Sequence, residues 1–387
     1  MSWRHRLRNS WRRLGMKYRK LSELCEYASD KILVSILSRQ NYISTENMLQ
    51  NRGGICDAEI LPSTLKVSNF AENDILISNI RPYFKKIWRA KFCGGCSNDI
   101  LVMRAKQNCN PIFLYYILSS DSFFSYATHT SKGTKMPRGD KKAIMNYQVP
   151  DLSYQAQKII GEFLNVFDRK IELNNKLNDN LQQQIAIIFK AWFVDFVPFD
   201  ETMPSNWTVS TLGDVTEMGA GGDKPKETSQ VKTPLYPYPI YSNGINNYGL
   251  YGYTNEPKIK SESVTVSARG TIGYVCLRHI PYVPIVRLVT LIPDTSVLSA
   301  KYLYLYLSQL HITGTGTTQQ QLTVPDFRKT EIIIPDKATM DFFTETVTPL
   351  FEQIWVNEDE NNKLAEVRDA LLPKLMSGEI DVSNIQV

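Results

Sequence analysis

The chain repeats itself once. Asn174-Asn175-Lys176-Leu177 recurs as Asn361-Asn362-Lys363-Leu364 at an offset of 187, and Val149-Pro150-Asp151 recurs as Ile334-Pro335-Asp336 at 185. Upstream, Phe113-Leu114-Tyr115-Tyr116-Ile117-Leu118-Ser119 matches Tyr302-Leu303-Tyr304-Leu305-Tyr306-Leu307-Ser308 at 189. Asp74-Ile75-Leu76-Ile77-Ser78 matches Ser263-Val264-Thr265-Val266-Ser267 at the same offset of 189. Four landmarks in one order near one offset mark a tandem duplication, and no solenoid-length period accompanies it. The 387 residues must therefore build one unit twice, about a pseudo-twofold axis.

Each half changes character once. Residues 16–151 and 201–336 are rich in Gly, Pro, Asn and Ser between short β-branched or aromatic runs, which reads as strands, turns and a few short helices. The Tyr302 run and its counterpart at Pro111 are expected to be helices packed on those strands. Residues 152–200 and 337–381 have helical periodicity instead. Ile159, Ile160, Phe163, Leu164, Phe167 and Ile171 form one stripe; beyond a polar patch at 172–175, Leu177, Leu181, Ile185, Ile188 and Trp192 continue it. Phe342, Phe343, Val347, Leu350, Phe351 and Ile354 form the second region's first stripe, and Leu364, Val367, Leu371 and Leu375 its second. A break between the C-terminal helices is expected at 358–360. The fold class is α+β: two tandem mixed α/β domains, separated and followed by long helices forming an antiparallel coiled-coil spacer. About 40 helical residues span roughly 60 Å, enough to hold two readers on one duplex, whose half-sites lie ~34–36 Å apart per turn.

Charge is polarised rather than large. The formal balance of +5 equals the five arginines of residues 1–15, a segment without acids. Residues 16–150 hold 19 Lys/Arg against 11 Asp/Glu, residues 201–336 hold 11 against 11, and residues 337–387 hold 4 against 10. Only the first globular region has the balance expected of a phosphate-binding face. No run approaches the ~18 apolar residues of a membrane span, and no apolar segment follows the basic start as a secretory signal requires. Six scattered cysteines are no disulfide scaffold, so a cytoplasmic location is expected.

Motifs for chemistry are missing. There is no phosphate loop and no dinucleotide fingerprint. Asn110-Pro111-Ile112-Phe113 lacks the second proline of an amino-methyltransferase box and reads as a helix start. None of the four histidines sits in a catalytic spacing beside Ser or Cys. Cys93-Gly94-Gly95-Cys96 lacks a second ligand pair and reads as a tight glycine turn with incidental thiols. A self-contained nuclease or methyltransferase is disfavoured accordingly.

Candidates for contacting DNA sit on glycine-punctuated loops. In the first half these are Arg81, Lys85, Lys86 and Arg89, then Lys132, Lys135, Arg138, Lys141 and Lys142. Arginine can take guanine O6 and N7, and lysines meet phosphates. The second half is amide-rich: Asn243, Asn246 and Tyr248, Arg269, and Thr317, Gln319, Gln320 and Gln321. Asn and Gln suit adenine N6 and N7. Trp192, Phe193 and Phe196 exceed what a two-helix seam needs and are expected to dock another subunit.

The helical regions close with Phe189-Lys190-Ala191-Trp192-Phe193-Val194-Asp195-Phe196 and Leu372-Pro373-Lys374-Leu375-Met376-Ser377-Gly378-Glu379-Ile380. These resemble the corresponding ends of type I restriction–modification specificity subunits (HsdS). Gly133-Thr134-Lys135-Met136-Pro137-Arg138 and Ser267-Ala268-Arg269-Gly270-Thr271-Ile272-Gly273 are also similar to that family. The resemblance covers roughly residues 16–381. It implies a non-catalytic subunit whose two target-recognition domains read the halves of an interrupted site in double-stranded DNA. It further implies helices that dock two methyltransferase subunits, with restriction subunits as further partners. S-adenosylmethionine, ATP and magnesium would belong to those partners and not to this chain. The family usually starts near a sequence like Met16-Lys17-Tyr18-Arg19, so residues 1–15 are expected to be an upstream start rather than a basic arm. The alternative to the whole reading is a non-enzymatic coiled-coil scaffold with two protein-binding domains.

Overall fold

The computed structural model describes residues 17–314 and 321–381; the basic prefix (1–15), residues 315–320 and the tail at 382–387 lie outside the described residues. Two compact units emerge. One comprises the residues up to Asn174 together with those from Asp359 onward; the other is Asn175–Glu358.

The first unit has strands β1 (Tyr18–Lys20), β2 (Cys25–Tyr27), β3 (Lys31–Leu33), β4 (Tyr42–Ile43) and β5 (Lys66–Phe70). Then come β6 (Ile75–Ser78), β7 (Ile87–Arg89), β8 (Gly94–Cys96), β9 (Ile100–Ala105) and β10 (Gln148–Pro150). Helices α1 (Pro111–Ser119), α2 (Asp121–His129) and α3 (Lys141–Met145) precede β10. The run at Asp74 becomes the inner strand β6 of an antiparallel sheet ordered β2-β9-β6-β7, with all four of its residues buried. Period-2 alternation divides them. Ile75 and Ile77 pack with Phe113, Leu114 and Ile117 of α1, whereas Leu76 packs with Ile43, Phe70 and Trp88. A second sheet, β3-β5-β8-β4, supplies Phe70 and Ile43, and β1 pairs with β10. Asn110 caps α1, its side-chain oxygen accepting from the Ile112 and Phe113 amides at 3.0 and 3.1 Å, with Pro111 at the first helical position.

The glycine turn expected at 93–96 is instead strand β8. An added Cβ at Gly94 would meet the Asn41 carbonyl oxygen at 2.2 Å, and one at Gly95 would meet Leu37 at 2.5 Å. The glycines let the strand pass its neighbours, and burial pushes the Cys96 thiol up to about 12.

Helix α4 (Tyr154–Phe193) leaves the first half and enters the second. The second unit then has β11 (Thr208–Thr211), α5 (Leu212–Val215), β12 (Thr216–Ala220), β13 (Tyr238–Tyr241), β14 (Leu250–Thr254) and β15 (Ser263–Val266). It continues with β16 (Val275–Arg278), β17 (Val283–Pro284), β18 (Val289–Pro293), α6 (Ala300–Gln309), α7 (Val324–Phe327) and β19 (Glu331–Ile334). Helix α8 (Lys337–Met376) closes the fold. The sheet orders β12-β18-β15-β16 and β11-β19 reproduce β2-β9-β6-β7 and β1-β10 strand for strand. The duplication is thus a duplication of topology. The remaining sheet diverges: β14-β13-β17 stands where the first half has β3-β5-β8-β4, each keeping one parallel pair.

The break expected at 358–360 does not exist, and the helix also runs unbroken through the polar patch at 172–175, because the polar residues find partners across the helix pair. In the first unit, the Asn174 amide donates to Glu360 at 2.7 Å and to Asn361 at 2.9 Å, Lys170 pairs with Glu360 at 3.2 Å, and Arg368 pairs with Asp168. In the second, Asn357 donates to Asn178 at 2.7 Å, and Phe189 packs on Phe343. Within each unit the segments of α4 and α8 therefore run antiparallel. Three predicted stripe residues turn outward, among them Phe342 at 61% exposed. Asn174 and Asn178 are buried, while Leu177 is 44% and Val367 47% exposed, with Leu372 taking the inward place near the C-terminus.

Candidate nucleic-acid interface

In the first unit the two basic clusters, some fifty residues apart in sequence, meet. The Arg81 amide donates to the Pro137 carbonyl at 2.7 Å, Gly139 donates to Asn79 at 3.1 Å, and Lys132 and Arg138 exchange a pair of 2.9 Å backbone bonds. Gly139 is fixed by crowding, since a Cβ there would lie 2.9 Å from the Asn79 side-chain oxygen. Arg81 and Lys85 flank the turn at φ 51° and 50°, conformations that non-glycine residues hold only when their surroundings dictate it.

Carboxylates hold several of these cations in place. Lys85 pairs with Asp121 at 2.7 Å, Lys132 with Asp140 at 2.6 Å and Arg138 with Asp99 at 3.0 Å. Lys132, followed by the backbone amides of the α3 N-terminus, holds Asp140 below the usual carboxylate range. Burial works against the Asp121 charge, yet hydrogen bonds from Lys85 and Arg52 prevail and lower its pKa. Lys135, Lys141 and Lys142 are exposed, Lys141 lying over the Tyr27 ring at 5.8 Å.

Two candidates turn inward. The Lys86 ammonium donates to the Thr45 carbonyl at 2.6 Å, and burial lowers its pKa. Arg89 lies on β7 and donates to Asn73 and to Asn165 of α4 at 3.1 and 3.3 Å. Both brace the fold rather than join the loop group. Arg52 was missed; it shares Asp121 with Lys85 and bonds the Ser119 carbonyl. Its signal was present, since Arg52-Gly53-Gly54 is itself a basic, glycine-punctuated turn.

In the second unit Arg269 and Gln321 come together, the guanidinium donating twice to the glutamine oxygen at 3.1 and 2.9 Å. Asn243 is a brace: it donates to the Val286 carbonyl at 2.6 Å and accepts from the Ala268 amide at 2.7 Å. Asn246 is exposed, and the Tyr248 hydroxyl donates to Glu358 at 3.1 Å. Burial, then that carboxylate, raises the Tyr248 pKa. Thr317, Gln319 and Gln320 lie outside the described residues.

The aromatic cluster at the end of α4 packs on the core of the second unit, with Phe193 buried and Trp192 and Phe196 half-buried. Phe193 is 4% exposed, with Phe343 at 4.8 Å, Tyr302 at 4.9 Å and Trp207 at 5.6 Å. Trp192 stacks on Phe342 at 5.4 Å, and Phe196 meets Trp207 edge-on at 5.8 Å. Its excess over a two-helix seam is explained by the globular half it anchors. Among the described residues no group of three or more His, Cys, Asp or Glu converges to hold a metal ion, and no helix is long and apolar enough to cross a membrane.

Comparison with known proteins agrees with this duplicated architecture. The chain is 28% identical over 311 residues to the MjaIX specificity subunit of Methanocaldococcus jannaschii, covering 70% of each. It is 26% identical over 438 aligned positions to the HindI specificity subunit of Haemophilus influenzae, covering 88% of this chain and 94% of that one. A solved type I restriction–modification S subunit from M. genitalium shares the fold, with a TM-score of 0.58 at 16% identity over 94% of this chain and 96% of that one. Residues 14–183 and 204–366 each match the type I restriction modification DNA specificity domain, and the chain belongs to that family.

Proposed function

We propose that this chain, a non-catalytic DNA specificity subunit of a type I restriction–modification complex, reads an interrupted two-part sequence through its two halves. The observation that carries this reading is the repeated sheet order, accompanied in each unit by an antiparallel portion of α4 and α8. Duplicated readers suit a two-part site, and the helices suit a spacer that sets its gap. In the first half Arg81, Lys85, Lys132, Lys135, Arg138, Lys141 and Lys142 serve as phosphate and guanine contacts. In the second, Asn246, Tyr248, Arg269 and the loop containing Thr317, Gln319, Gln320 and Gln321 serve as the amide-rich reader. Two methyltransferase subunits would dock on the helices and flip the target adenines into their own sites. S-adenosylmethionine, and ATP with magnesium for cleavage, would be held by the methyltransferase and restriction subunits, all acting in the cytoplasm. The scaffold alternative fits less well, since the family matched is one of DNA specificity domains.

The test is assembly with the cognate methyltransferase subunits, followed by sequencing of methylated adenines in exposed DNA. One interrupted motif is expected, and exchange of residues 16–150 for those of a relative should change one half of it alone. An assembled complex that methylates without a motif would refute the reading.

A further inference from the structure

Residues 242–249, the candidate reading loop of the second half, contain no lysine or arginine. Beneath them lies a cation that no sequence motif singles out. Arg278 ends β16 and is 6% exposed. Its Nε donates to the Thr265 hydroxyl at 2.9 Å and one terminal nitrogen to the Tyr248 carbonyl at 2.8 Å. The guanidinium carbon sits 3.6 Å from the centre of the Tyr241 ring. All its neighbours in these contacts are neutral, and among the described residues no carboxylate lies within ion-pair range of it. A buried charge without a counter-charge is disfavoured, and an apolar residue of similar volume would pack there at less expense. The arginine therefore has a task beyond filling space.

The Tyr248 carbonyl identifies the task. Asn247 and Tyr248 are consecutive non-glycine residues in left-handed conformation, at φ 48° and 54°. Such backbone persists only when its surroundings over-determine it. Arg278 holds it from below, Glu358 holds the Tyr248 hydroxyl from α8, and the Ser242 amide closes the loop on the Gly249 carbonyl at 2.9 Å. The exposed tip so fixed carries Asn246 and Asn247. We propose that Arg278 is a positioning residue for one half-site: without touching DNA, it sets the asparagine tip of residues 246–248 in the geometry that reads bases. This rests on the reading that the chain recognises DNA. Only a planar fork can donate in two directions while lying flat on a tyrosine; a lysine retains the charge and loses the geometry.

The experiment uses the full chain assembled with its methyltransferase subunits, comparing wild type, Arg278→Lys, Arg278→Met and Thr265→Val. The readout is the base preference at each position of the methylated motif, with DNA affinity measured against salt. Both Arg278 variants should relax the same positions of one half-site by about tenfold, the scale of a single mismatch, and leave the other half sharp. Thr265→Val, which removes one acceptor, should relax the same positions less. The slope of log affinity against log salt should stay unchanged, since no phosphate contact is lost. A merely structural role would lower the yield of active complex without altering base preference, and that result would overturn the proposal. So would restoration of preference by lysine, which would make charge alone the agent, or a slope reduced by about one, which would make it a phosphate contact. If Arg278→Met fails to fold, the lysine and Thr265→Val variants decide. Failure of the wild-type complex to show a two-part motif would instead refute the parent reading.

Discussion

Asn178 and Asn357 face each other inside the second unit, and their pairing sets a quantitative expectation. The Asn357 amide donates to the Asn178 oxygen at 2.7 Å, the Asn178 amide reaches the Ile354 carbonyl at 3.4 Å, and Gln353 donates to the Asn357 oxygen at 2.9 Å. Replacing Asn178 by alanine strands the Asn357 amide in a buried place while its oxygen keeps a donor. One stranded donor costs about 1–3 kcal/mol, so about 2 kcal/mol is expected of either single alanine variant. For a unit of this size that is a fall of roughly 4–8 °C in its unfolding temperature. The double alanine variant strands nothing further, and a double-mutant cycle should return a coupling of about 1–2 kcal/mol. Asn178→Leu with Asn357→Leu should recover wild-type stability or exceed it, because two apolar groups replace two satisfied polar ones. Thermal unfolding of the full chain, followed through the transition of the second unit, measures all four. Additive single effects, or a leucine pair as unstable as the alanines, would refute the account of a buried, mutually satisfied pair.

Arg368→Met should destabilise the first unit by about 3 kcal/mol or more, since it leaves Asp168, which also accepts from the Tyr116 hydroxyl at 2.6 Å, without its cation; denaturant titration would show it. Lys135→Ala and Lys142→Ala should each reduce the salt slope of DNA binding by about one, whereas Lys86→Ala should leave the slope alone and lower stability, a contrast that filter binding at several salt concentrations resolves. Gly139→Ala should weaken DNA binding through displacement of the Asn79 side chain 2.9 Å from the new methyl, with circular dichroism little changed. The Asp140 pKa is lowered in the fold, so its contribution is present above the unfolded value of 3.8 and is lost as pH falls through the folded one. The protection of the Lys142 and Ala143 amides against hydrogen exchange, relative to their intrinsic rates at each pH, should fall only in that acid window, since Asp140 caps both.

Much of the architecture was readable because it rests on local periodicity. The alternation of residues 74–78 and 263–267 located the inner strands, and Asn110-Pro111 announced a capped helix. The helix stripes depart from the hydrophobic pattern by one step where polar residues intervene. The spacing Ile171, Asn174, Asn178, Leu181, Ile185 is the continuous one, yet hydrophobicity alone preferred Leu177. Only the partners at 357, 360 and 361 make asparagine acceptable inside. The site was legible as regions and poorly as residues, for the same reason. Nothing near Lys86 or Arg89 in sequence announces Thr45 or Asn165, and nothing near Asn243 announces Val286. Arg278 was invisible because its meaning lies in a carbonyl thirty residues away.

The first unit is built from both ends of the chain. Leu372, Leu375 and Met376 of α8 are buried in the same core as Leu21, Phe113 and Val149. During synthesis on the ribosome the part made first is consequently finished last. The second unit has all its residues once Glu358 has emerged, while the first must wait for Met376 with its helix segment unmatched. At about 5–20 residues per second, the interval between Asn174 and the end of α8 is on the order of 10–40 s. A stop codon between positions 359 and 372 would thus remove the wall of the N-terminal core and spare the domain nearer to it in sequence. Mutations at Leu21 and at Leu375, more than three hundred codons apart, would damage the same half of the molecule.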